Sequence, residues 1–186
     1  MKMIFIRHGK TAGNLKKRYI GRTDEPLCRR GIDEIADRVY PDCEIVLTSD
    51  MRRCIQTAKL IYPGKEIVRV GEFRECDFGD FEGKDYRELS DDPDYRRWIE
   101  SGGELPFPNG EAPEHFKKRC ISGFERAVGE YASVRAIALV VHGGTIMSIL
   151  ERYARPRRGF YDYRVENGSG FLTDFDGEKI RIAEKL

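Results

Sequence analysis

Arg7-His8-Gly9 near one end of the chain and His142-Gly143-Gly144-Thr145 near the other each set an imidazole beside glycine, the first beside a cation as well. Between them, Ser49-Asp50-Met51-Arg52-Arg53 brings further guanidinium groups, and Phe73 to Gly83 strings Glu75, Asp77, Asp80 and Glu82 among glycines. Two arginines, two imidazoles and a carboxyl group suit phosphoryl transfer through a covalent intermediate. The guanidinium groups grip equatorial phosphate oxygens bidentately, one imidazole attacks phosphorus in line, and a carboxylic acid protonates the departing oxygen. Neighbouring cations depress the pKa of His8 and keep it nucleophilic near neutrality. Gly9 lets the backbone pass close to a phosphate and offers a carbonyl that fixes the imidazole tautomer.

These groups are far apart in sequence, so the elements that carry them must converge. Met3-Ile4-Phe5-Ile6 is apolar without alternation, which predicts a strand buried on both faces, and Ala136 to Val141 is a second run of the same kind. If both lie in one parallel sheet, His8 and His142 emerge on the same edge, past the carboxyl ends of the strands, where open α/β sheets place ligands. Glu44–Thr48 and Glu66–Val70 read as further strands. Helical spacing covers Arg29–Tyr40, stopping before Pro41, and Met51–Ile61, capped by Ser49-Asp50 and closed by Pro63-Gly64. Strands alternating with helices predict an α/β fold with a largely parallel sheet. Glu114–Tyr131 and Thr145–Tyr153 are amphipathic helices, and Gly170–Ile182 is a hairpin turned at Asp176-Gly177. From about Gly83 to Pro113 the pattern loosens around Gly102-Gly103 and Pro106-Phe107-Pro108, while Tyr86, Tyr95, Trp98 and Phe107 supply large apolar groups. This stretch reads as short helices and an insertion over the site rather than a separate domain.

At 186 residues the chain is expected to be one domain with room for a sizeable core. Lysine and arginine number 33 against 32 acidic residues, so no global charge draws it to nucleic acid or to a membrane, and an anion site must be a local concentration of arginines. No apolar run approaches the roughly 20 residues of a membrane span. The five cysteines, Cys28, Cys43, Cys54, Cys76 and Cys120, are odd in number and sit at no metal-ligand spacing, which predicts a reduced, cytoplasmic protein.

Plainer roles compete with the chemical ones. A lone His8 or His142 would read as a core histidine bonded to backbone; the arginine and glycines beside them shift the balance. His115 reads as a surface residue, and Arg52 as solvent-facing, since helix neighbours do not share a face. Glu82 and Asp77 rival Glu75 as the acid, although Glu82 could instead fix its loop by accepting backbone hydrogen bonds. Trp98, Phe107 and Phe116 belong more naturally to a core. Cys54 is expected on the buried face of its helix and Cys76 partly exposed. Two histidines beside fixed cations, with no spaced third ligand, would bind zinc poorly.

At these residues the chain resembles the histidine phosphatase superfamily, also called phosphoglycerate mutase-like. Arg7-His8-Gly9 with Thr11 and Asn14 is similar to its signature, and Gly21 through Asp24-Glu25-Pro26-Leu27-Cys28 to Gly31 is similar to the next block, with cysteine where threonine is usual. Ser49 to Ala58 resembles the helix of the second phosphate-binding arginine, in a register that selects Arg53. Glu75, with Phe78-Gly79 and Glu82-Gly83, is similar to the acid loop; Pro108-Asn109-Gly110-Glu111 resembles a block of the phosphatase branch; His142-Gly143 is similar to the second-histidine motif. The resemblance implies a three-layer sandwich with a mostly parallel central sheet flanked by helices, spanning residues 1–186. It implies that His8 is phosphorylated, that Arg7, Arg53 and His142 form the phosphate pocket, and that Glu75 donates a proton and then activates water. Asn14, Thr11, Gly9, Gly143, Gly21 and Lys10 are the implied phosphate and substrate contacts, with no metal and no dissociable cofactor. Lys10 departs from the family, which more often has glutamate or glutamine there, and adds a cation at the pocket rim; Phe81 stands where tryptophan is commoner. The expected partner is a small phosphate ester, with phosphoglycerate mutase-type transfer or noncatalytic phosphate binding as alternatives. The terminal hairpin leaves a homodimer open.

Overall fold

The computed structural model describes residues 1–186. Strands β1 (Lys2–Arg7), β2 (Ile45–Thr48), β3 (Glu66–Arg69), β4 (Ala136–Val141), β5 (Gly170–Phe175) and β6 (Ile180–Lys185) form one six-stranded sheet in the order β3-β2-β4-β1-β5-β6. The first four are parallel; β5 pairs antiparallel with β1, and β6 antiparallel with β5. Around it lie α1 (Ala12–Leu15), α2 (Arg29–Ala36), α3 (Arg52–Ile61), α4 (Pro93–Glu100), α5 (Pro113–Glu130) and α6 (Gly143–Tyr153).

The unbroken apolar runs are central strands because both of their faces are covered. Met3 and Phe5 of β1 and Ile137, Leu139 and Val141 of β4 face a core shared with Phe124 of α5 and Ile146 and Ile149 of α6. Ile4 and Ile6, with Ala138 and Val140, face the other way, onto Ala58 of α3 and Tyr62. Helices on both sheet faces make three layers, the α/β architecture expected for strands that alternate with helices. A third cluster gathers Phe81, Leu89, Tyr95 and Phe107 against Phe116 of α5 and packs the segment around α4 onto the body of the fold.

Local differences have local causes. Helix α2 stops at Ala36, short of Tyr40, because Arg38 and Tyr40 donate to the Gly168 carbonyl at 3.2 and 2.8 Å, leaving Val39 96% exposed. Ser49 and Asp50 do not cap α3, whose N-cap is Met51 without a side-chain bond. Instead Asp50 accepts both arms of Arg74 at 2.7 and 2.6 Å, and Ser49 turns to His142. Helix α1 has too few residues to show a periodic signal; it is held by a reciprocal cap between Thr11 and Asn14. Cys76 is buried, contrary to expectation, and Tyr86 is exposed. The hairpin turns where expected, Asp176 accepting the amides of Glu178 and Lys179 at 2.9 and 2.7 Å while Gly177 takes φ +103°.

Candidate active site

Strands β1 and β4 pair in parallel with Arg7 opposite Val141, and the His8 amide extends the ladder to the Val141 carbonyl at 2.9 Å. His8 and His142 therefore leave the sheet side by side, their ring centroids 5.2 Å apart and their planes at 69°. Strand β2, on the other side of β4, leads into α3 and places the fully buried Arg53 beneath them. Its Nε–H donates to His142 Nδ1 at 3.3 Å, and its terminal nitrogens donate to the carbonyls of Thr23 and Gly21 at 2.7 and 2.8 Å.

The tautomers follow from the partners. A carbonyl oxygen only accepts, so the 2.7 Å contact between His8 Nδ1 and Gly9 O puts the proton on Nδ1 and the lone pair on Nε2. His142 accepts from Arg53 at Nδ1, so its Nε2 donates to Ser49 Oγ at 3.0 Å. Both imidazoles are held well below the ordinary histidine pKa. Burial is the largest cause, ahead of the cationic neighbours Arg53 and Arg7, so dehydration rather than charge crowding keeps His8 neutral. Burial also lowers Arg7, opposed by the Glu75 carboxylate.

Of the five N–H donors of a guanidinium, Arg7 commits only Nη1, to the Val165 carbonyl at 2.9 Å, and its Nε is buried without a partner. The turn after β1 is clamped on both sides. Gly9 N donates to Thr57 Oγ1 at 2.9 Å, and Thr57 donates to the Arg53 carbonyl at 2.7 Å, tying the turn that carries His8 to the helix of Arg53. A Cβ on Gly31 would lie 2.2 Å from the Lys10 carbonyl, which explains glycine where α2 abuts this turn.

Glu75 accepts from its neighbour's amide, Cys76 N, at 3.0 Å and from Gly144 N, in the first turn of α6, at 3.2 Å. Gly144 is the permissive residue here, because a Cβ there would sit 2.3 Å from Glu75 Oε1. The rival carboxylates have other work. Glu82 accepts the amides of Gly21 and Thr23, both at 2.9 Å, and Asp77 pairs with Arg22 at 3.2 Å.

The remaining candidates divide. Gly143 packs against Arg7 at the start of α6, where helix amide groups point outward and favour an anion. Gly21 contributes its carbonyl to Arg53, and a Cβ there would lie 1.9 Å from the Cys76 carbonyl. Thr11 is fully buried and its hydroxyl caps α1, so it supports Asn14 rather than offering a free ligand. The Lys10 ammonium lies 2.8 Å from Glu34 of α2, on which Arg30 also converges. His115 is exposed, as expected, and lines that cleft.

Two residues escaped sequence reasoning. Asn167 Nδ2 donates to the His8 carbonyl at 3.0 Å and to Asn14 Oδ1 at 3.2 Å. Asn14 Oδ1 also takes the Thr11 amide at 3.1 Å, so its NH2 group is the part left for a ligand. Arg119 of α5 donates to the carbonyls of Glu72, Arg74 and Glu75 at 2.8, 2.6 and 3.0 Å, and to Glu111, fastening the loop that carries Glu75. The turn run Glu166-Asn167-Gly168 could have flagged the first; nothing in the helical pattern distinguishes the second.

Residues 3–185 match the family model described as histidine phosphatase superfamily (branch 1). The chain belongs to the histidine phosphatase superfamily. Among relatives in that superfamily, the adenosylcobalamin/alpha-ribazole phosphatase of Escherichia coli K12 is 28% identical over 95% of this chain and 91% of its own length. A 2,3-bisphosphoglycerate-dependent phosphoglycerate mutase of Methylorubrum extorquens is 30% identical over 79% of this chain and 82% of its own. The crystal structure of the alpha-ribazole phosphatase from Shigella flexneri superposes with a TM-score of 0.87 at 25% identity, covering 98% of this chain and 95% of that one. As a histidine phosphatase superfamily member with relatives named as phosphatases, the chain is an enzyme of the phosphatase class. A cleft of about 770 Å³ opens beside Glu75 and Gly21, with Gly110, Glu111 and Arg119 also in its lining; His8, Arg53 and His142 lie outside that lining, linked to it through the Gly21 carbonyl.

Proposed function

We propose that the enzyme hydrolyses phosphate monoesters through a phosphohistidine on His8, and that residues 1–186 act as one domain in doing so. The observation that carries the reading is the Gly9 carbonyl on His8 Nδ1: it leaves a lone pair on Nε2 of an imidazole kept neutral beside two guanidinium groups. Arg7, most of whose donors are uncommitted, takes the phosphate oxygens, with Arg53, His142, the Asn14 amide and the Gly143 N–H completing the pocket.

His8 Nε2 attacks phosphorus, the bond to the alcohol oxygen breaks, and Glu75 in its acid form protonates that oxygen. Glu75, now a carboxylate, takes a proton from water as the water attacks phosphorus. The phosphorus–nitrogen bond breaks and neutral His8 is regenerated. Residues 83–113 serve as the wall facing Glu75, through Gly110 and Glu111.

Radiolabelled p-nitrophenyl phosphate tests the reading. Wild type should release inorganic phosphate and, when quenched in alkali during turnover, carry acid-labile label; His8→Ala should lose both, with turnover down at least about 10⁴-fold. Label on any other residue, or turnover surviving in His8→Ala, would discard it. Isomerisation of 3-phosphoglycerate dependent on the bisphosphate would instead make the enzyme a mutase.

A further inference from the structure

Glu75, the proton donor of the reading above, lines the cleft, so the departing alcohol has room to sit there, and eight of the fourteen lining residues are charged. Met51 and Ala112 are the apolar residues in its lining, and the His115 imidazole is its single ring. A nucleoside-like alcohol would find little aromatic or aliphatic surface to lie against.

The charges are not balanced. Each arginine of the lining is already paired: Arg74 with Asp50 at 2.6 Å, Arg119 with Glu111 at 2.7 Å, and Arg22 with Asp77 at 3.2 Å. The two acidic residues left without a cation are Asp24 and Glu75. Glu75 is committed to the acid role, whereas Asp24 is exposed and accepts one backbone amide, Arg52 N at 2.7 Å, with no cation on it. Lys10, the cation that the sequence put at the rim, is spent on Glu34. A carboxylate-bearing alcohol entering here would meet negative charge without a free guanidinium to offset it; an ammonium group would meet its complement.

We propose that the alcohol released by this enzyme is small, lacks an aromatic ring and carries a protonated amine, with Asp24 receiving the ammonium group. This rests on the monoesterase reading above. The test is kcat/KM at pH 7 for phosphoethanolamine, its uncharged isostere propyl phosphate, the anionic phosphoglycolate, and adenosine monophosphate, with p-nitrophenyl phosphate as the general ester. Phosphoethanolamine should lead, by about tenfold over phosphoglycolate, as expected for gaining one partly exposed ion pair and losing one repulsion. Adenosine monophosphate should be the poorest. In Asp24→Asn the ratio of phosphoethanolamine to propyl phosphate should fall toward one. Phosphoglycolate or adenosine monophosphate equal to or better than phosphoethanolamine would overturn the proposal while leaving the monoesterase reading intact. An undiminished ratio in Asp24→Asn would overturn the part played by that carboxylate. No phosphate released from any of the five esters would remove the monoesterase reading and this proposal with it.

Discussion

At the sheet edge, the groups around His8 are buried and positioned by backbone: a carbonyl fixes its Nδ1, a ladder bond fixes its amide, and two carbonyls hold Arg53. In the cleft beside Glu75, the charged groups are held by one another, as in Arg74, 62% exposed, on Asp50, and Arg22, 76% exposed, on Asp77. Buried, backbone-anchored groups lose much when one partner goes, because the other is stranded without water. Exposed pairs are screened, and each is worth little. The same molecule thus sets a buried, backbone-anchored cluster beside a surface of exposed ion pairs.

The sharpest way to break this contrast is at neighbouring arginines on opposite sides of it. Arg53→Ala should lower kcat/KM by about 10²- to 10³-fold, as loss of a buried transition-state donor does, whereas Arg52→Ala, at an exposed position, should stay within about twofold. Equal losses in steady-state assays would show that burial does not decide the matter. Next, Gly144→Ala places a methyl group 2.3 Å from Glu75 Oε1 and should cut kcat about 10²-fold on alkyl phosphates, the usual worth of a positioned acid. The loss should be much smaller on p-nitrophenyl phosphate, whose leaving group needs no proton; a uniform loss would mean general disruption.

The third effect is on stability. His8 and His142 have depressed pKa values in the fold, so below their ordinary value of 6.5 the unfolded chain binds protons that the folded one does not. Stability is therefore fully present above about pH 6.5 and falls as pH drops beneath it, by at most about 1.4 kcal/mol per pH unit for each histidine. Denaturant titrations between pH 7 and 5 should show the decline, and His142→Gln should reduce its slope; an unaltered slope would assign the decline elsewhere. Smallest of all, Asp50→Asn, which breaks an exposed pair, should cost less than about 1 kcal/mol by the same titration.

How far each region could be read from sequence follows the same division. Uninterrupted apolar runs ending in Arg-His-Gly and His-Gly-Gly announce strands that stop at a site, and the sheet then obliges residues 8 and 142 to meet. Arg53 was legible through its helical register. The cleft was not, because which carboxylate an exposed arginine chooses depends on loop geometry that no periodicity encodes. Lys10 shows this: its number in the chain puts it beside His8, but Glu34 on α2 draws the ammonium away. Asn167 and Arg119 were missed for a related reason, since both act through main-chain carbonyls, and a residue's suitability for that leaves no trace in composition.

Strand β1 lies between β4 and β5, so residues 2–7 pair only with 136–141 and 170–175. During biosynthesis β1 thus stays without a ladder partner until residues 136–141 have been made. Such distant closures are slow, and an unpaired apolar strand is prone to aggregation while it waits. Nascent chains arrested before Val141 should accordingly be the ones that chaperones retain.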